Sequence, residues 1–105
     1  MEPVDITATE KEMLANIGEV LEFNTLKFDE LYYAYRYIKA QGIAAETDVI
    51  EITNLGIPLL QALADVKSVS AEDIHKMLLS GTITNEDVQN AFLKMTSDGG
   101  IFFRS

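Results

Sequence analysis

The sequence predicts an all-α protein, a compact bundle of about five to six short helices in one domain spanning 1–105. Three observations predict it. Apolar residues recur at three- and four-residue spacing along most of the chain, the period of a helix with one buried face. Hydroxyl residues followed by acids stand just ahead of those stripes, most plainly in residues 70–79, SAEDIHKMLL, and 84–93, TNEDVQNAFL. Glycines fall where the stripes stop, the usual left-handed helix ending. A 48% apolar content in 105 residues suits one modest core, and 24% charged residues argue against disorder.

The first helix is expected over about 8–23. Asp5 or Thr7 would be its N-cap, and Glu10 and Glu12 sit in the first turn, where the helix dipole favours acids. Met13, Leu14, Ile17, Val20 and Leu21 form its stripe, and Asn24-Thr25 breaks the pattern. The second should run over about 28–41 and end at Gly42, with Phe28, Leu31, Tyr32, Tyr35 and Ile38 inward. Tyr33 and Tyr37 lie one turn apart on a neighbouring face. They either widen the buried band or form a partner-facing patch, since tyrosine favours interfaces.

Residues 48–55 carry β-branched Val49, Ile50, Ile52 and Thr53, which suit a strand. A short helix is favoured because no partner strand is evident. Gly56 ends it, and Pro58 is expected at the first position of the next helix, where its missing N–H costs nothing. Leu59, Leu60, Leu63 and Val66 are that helix's apolar face.

Ser70 and Thr84 then read as paired N-caps, with Glu72-Asp73 and Glu86-Asp87 in favourable first turns. Gly81 ends the earlier of the two helices. Only a few residues separate them, so a tight hairpin or corner is expected. Ser97-Asp98-Gly99-Gly100 is a strong stop, followed by Ile101-Phe102-Phe103. Three large apolar residues there imply either a segment folded back on the core or a chain cut from something longer.

Chemistry is sparse. With no cysteine and one histidine, His75, thiolate sites, His-based metal sites and Cys-His pairs are excluded by inventory. The acid pairs, Asp29-Glu30 included, sit at helix starts and lack the ligand pattern of a calcium loop. Gly99-Gly100 has neither the lysine nor the preceding strand of a phosphate loop. No enzyme, cofactor or metal site is expected. Net charge is −9, of which residues 1–51 carry −7 (11 acids, 4 bases). Nucleic acid and anionic membranes are poor partners for such a chain. Residues 70–95 have the outline of a helix-turn-helix, yet Glu86 and Asp87 would meet phosphate at the leading end of its second helix. The apolar runs are too short to cross a bilayer.

The second half carries a resemblance. NLGIPLLQALADV, residues 54–66, is similar to the Gly-Ile/Val-Pro-Leu/Met segment of the tape measure domain of tailed-phage and prophage tail tape measure proteins. HKMLLSGTI and EDVQNAFLKMTSDGGIFF resemble the segments that follow it in that family, and AYRYIKAQG resembles a preceding helix. The order and spacing of Gly56-Pro58, Lys76-Met77, Gly81-x-Ile83, Val88, Ala91, Met95-Thr96 and Gly99-Gly100 agree. The resemblance covers about 28–105; the upstream part is shorter than in the family, and the long helical rod is absent. It implies a helical 48–55 and a non-catalytic module of a longer measuring protein. It further implies tail tube and tail assembly chaperone proteins as partners. Its places would be the virion tail and, during assembly, the host bacterial cytoplasm. Tyr33, Tyr37, Ile101, Phe102 and Phe103 are the candidate partner surface; Gly56, Pro58, Ser70, Gly81, Thr84, Gly99 and Gly100 are the structural motif. The alternative is an independent acidic helical adaptor or regulatory protein.

Overall fold

Among the described residues six helices form where the local start signals and apolar stripes coincide: α1 (Ala8–Val20), α2 (Thr25–Gln41), α3 (Glu46–Asn54), α4 (Leu59–Lys67), α5 (Ala71–Leu79) and α6 (Asn85–Thr96). The computed structural model describes residues 5–103. Residues 1–4 and 104–105 of the expected domain lie outside the described residues. The fold is all-α.

The starts explain the boundaries. Thr7 caps α1, its hydroxyl accepting from the Glu10 amide while the Glu10 carboxylate accepts from the Thr7 amide. Asp5 instead pairs with Arg36 at the surface. α1 stops short of Phe23 because Glu22 turns to φ 55. Asn24, expected as a breaker, is the N-cap of α2: its side chain accepts from the Lys27 amide, so the helix begins at Thr25 rather than Phe28. α3 starts two residues before Asp48, whose carboxylate reaches back to the Ala45 amide. It is helical despite its β-branched residues, since Val49 and Ile52 are buried by packing. Pro58 is the N-cap of α4 rather than its first helical residue. Ser70 and Thr84 cap α5 and α6 as expected, accepting from the amides of Asp73 and Asp87.

α4 is the hub. It packs most extensively on α6 and also holds α5 and α3, while α1 and α2 pack on α6 as well. Leu14, Ile17, Leu31, Ile38, Leu63 and Phe92 are among the fully buried side chains. Val20, expected in the α1 stripe, lies exposed because α1 ends there.

One expectation is overturned. α5 and α6 do not pack as a tight hairpin or corner, since among the described residues no Cα of one comes within 8 Å of a Cα of the other and each packs on α4. Their connection is extended and zipped to the α2–α3 turn. Ala44 donates to the Ile83 carbonyl at 2.9 Å and Asn85 to the Gly42 carbonyl at 2.9 Å, around an antiparallel bridge of Ile43 with Thr84. Those backbone bonds hold Thr84 beside Gly42, which swings α6 away from α5. The helix-turn-helix outline in 70–95 is therefore not realised as a packed pair.

Candidate protein-interaction surfaces

Three places bring chemistry-bearing side chains together, and the sequence-predicted residues divide among them.

The first is the turn after α6. Gly99 has φ 87, a left-handed conformation that glycine adopts at little cost. Gly100 follows so close to the Lys94 and Met95 carbonyls that a Cβ there would overlap both. The chain reverses, Gly100 donates to Ser97, and Phe102 donates to the Met95 carbonyl at 2.7 Å. Phe102 is consequently 3% exposed and belongs to the core, which removes it from the candidate partner surface. Ile101, 64% exposed, and Phe103 remain outside. Between this turn and α4 lies a cleft of about 360 Å³ lined by Pro58, Gln61, Asp65, Lys94, Gly99 and Ile101, among others. Gly56 (φ 100) and Gly81 (φ 73) are two further left-handed positions of the motif. Gly100→Ala should open the turn and release Phe102, with the loss of about 2–4 kcal/mol expected for unburying a large ring. Urea unfolding followed by circular dichroism checks this; Gly99→Ala, strained but spatially unobstructed, should cost less.

The second is the groove between α2 and α3. Tyr33 is 57% exposed, so it does not widen the core. It stacks on Tyr37 with ring centroids 6.2 Å apart and planes at 18°. Two adjoining clefts of about 600 and 380 Å³ share Tyr33, Ala34 and Glu51, one continuing to Leu26, Asp29 and Glu30 and the other to Tyr37 and Asp48.

The third is buried. Glu10, read as a first-turn acid, is 1% exposed. Besides the Thr7 amide it accepts from the Tyr35 hydroxyl on one oxygen and from Lys39 Nζ at 2.6 Å on the other. Burial pushes its carboxyl upward, but the hydrogen bonds from Lys39, Thr7 and Tyr35 outweigh it and hold the group down at about 2. Burial, the bond to Glu10 and its charge push the Tyr35 hydroxyl well above its ordinary range. Sequence reasoning missed this network; the one local trace was the Thr7-x-x-Glu10 spacing of a capping box. Its donors are fixed and charge-matched, so it ties α1 to α2.

His75 is exposed, its Nδ1 standing 2.7 Å from a carboxylate oxygen of Glu46 and joining α5 to α3. Among the described residues no group of three or more His, Asp or Glu side chains gathers as metal ligands would. No helix among them is long and apolar enough to cross a membrane.

Six helices with open clefts between them, among the described residues, define a class of protein no more narrowly than a helical module. No family model matches this chain, and comparisons with curated proteins and with solved structures give no match.

Proposed function

We propose that this chain is a non-catalytic helical module of a phage or prophage tail tape measure protein, working through protein–protein contact in tail assembly. The observation that supports the reading is the ordered motif series from Gly56-Pro58 to Gly99-Gly100. Those glycines occupy backbone positions where a side chain is strained or obstructed, so the series describes a fold and not only a composition. The module is not itself the ruler. Its longest dimension is 35 Å, whereas its residues in one continuous helix would span roughly 150 Å. Length would reside in a rod elsewhere in the parent protein. The partners in this reading are the tail tube and tail assembly chaperone proteins, met in the host bacterial cytoplasm during assembly and in the virion tail afterwards.

The test is biochemical. Antibody raised against the chain should detect, in tails purified from a lysate of the producing strain, a polypeptide of several hundred residues that co-purifies with the tube protein. A free species near 11.7 kDa, in a strain whose locus holds no tail genes, would overturn the proposal.

A second reading is favoured by Tyr33, exposed and stacked on the half-buried Tyr37. It makes the chain an independent acidic adaptor or regulatory protein that binds a protein partner.

A further inference from the structure

The α2–α3 groove has an apolar floor and an acidic rim. Ala34 and Leu55 lie at its base, and the Tyr33 and Tyr37 rings stand along one wall. Asp29, Glu30 and Glu51 line it against one base, Lys27. Those three carboxylates form no ion pair with another described residue. Asp48, at the far end of the groove, is by contrast engaged by the Ala45 amide, as Glu10 is by Lys39 and Tyr35 and Asp87 by Lys67 in other parts of the chain. The groove thus combines a stacked ring pair, with Tyr33 exposed and Tyr37 half-buried, with uncompensated negative charge, the complement of a segment that is apolar on one side and cationic on its flanks.

We infer that this groove binds a short amphipathic protein segment bearing lysine or arginine, its apolar side chains against Tyr33, Tyr37 and Leu55 and its cations over Asp29, Glu30 and Glu51. The inference rests on the adaptor reading and gives that reading its site. From Leu26 to Tyr37 the wall runs along about three helical turns, or roughly 16 Å. That length matches a helical segment of eleven or twelve residues laid in the groove. The rings supply the apolar anchor, cation–π contact strengthens lysine or arginine docked on their faces, and the acids steer the approach and fix orientation. An acidic or uncharged amphipathic helix would find the same floor but the wrong rim.

The probe is a fluorescein-labelled peptide, KLLKKLLKKLLK, titrated with the full chain and read by anisotropy, with ELLEELLEELLE as control. One-to-one binding of the lysine peptide is expected, weakening as salt rises, with the control at least tenfold weaker. The double variant Tyr33→Ala, Tyr37→Ala should keep the wild-type helical signal and lose at least tenfold in affinity. Glu51→Lys should lose several-fold. Backbone amide shifts on binding should be confined to residues 26–37 and 47–55. Binding that leaves those residues unshifted, or that survives the double variant, overturns the groove while the adaptor reading stands. No binding at low salt overturns both. Equal binding of the two peptides overturns the charge argument and the inference with it.

Discussion

Phe92→Ala should lower the stability of the chain by about 3–5 kcal/mol. Phe92 is wholly buried on α6, the helix against which α4, α1 and α2 all pack. Its ring meets Tyr35 edge-on at 5.4 Å between centroids, with planes at 71°, an arrangement worth about 0.5–1.5 kcal/mol beyond simple burial. Truncation removes that contact and leaves a void that three helices would have to collapse into, and the backbone bonds at Ala44 and Asn85 hinder such a shift. A domain this small has a total stability of about 5–15 kcal/mol, so the variant loses about a fifth of it or more. At about 4–8 °C per kcal/mol, the melting temperature should fall by some 12 °C at least. Phe92→Leu, which fills most of the space, should cost less than half as much. Urea unfolding monitored at 222 nm measures both. A loss under 1 kcal/mol for Phe92→Ala would mean that α6 turns a different face inward.

Local signals carried the fold class and most helix starts, and the failures occurred where a distant residue decides the outcome. Ser70 and Thr84 were legible because capping is settled within three residues. Val88, Ala91, Phe92 and Met95 were legible because their spacing puts them on one face, and all four are buried. Asn24 was ambiguous in principle, since one side chain can end a helix or start the next; the Lys27 amide it accepts from makes it a start. The separation of α5 from α6 was invisible, because it follows from pairing with a turn some forty residues upstream. The same holds for the obstruction at Gly100, which shows only once the chain doubles back. Of the candidate surface, the sequence offered Tyr33 and Tyr37 as one of two alternatives; exposure decides for the outer one at Tyr33, while Tyr37 is half-buried beneath it. It did not reveal the α3 wall, since Glu51 and Leu55 join that groove through packing.

Glu10→Gln should destabilise the chain at neutral pH by about 1–3 kcal/mol, and that deficit should shrink as the solution is acidified. The folded state holds the Glu10 carboxyl at about 2 against an ordinary value of 4.5, so folding favours the charged form. Its contribution is complete above about pH 4.5, where the carboxylate is ionised in folded and unfolded chains alike. It declines as pH falls through that window and is gone below about 2, where both states are protonated. The difference of 2.5 between 4.5 and about 2 corresponds to about 3 kcal/mol at most. The glutamine side chain keeps one acceptor, for the buried Tyr35 hydroxyl, while its NH2 group then faces the Thr7 amide and Lys39, which lose their acceptor and counter-charge, and Lys39 can turn to solvent. Glu10→Ala removes every acceptor at once. It leaves Tyr35 buried without a partner and the Thr7 amide uncapped, so its cost should reach about 3–5 kcal/mol. Urea unfolding of wild type and both variants at pH 7, 4 and 2.5 separates the two effects. The glutamine deficit should narrow steadily towards the acid end, while the alanine deficit keeps a pH-independent remainder from the orphaned hydroxyl. A glutamine deficit that stayed constant across that range would mean that the charge at Glu10 does not stabilise the α1–α2 junction and that its oxygens act as neutral acceptors alone.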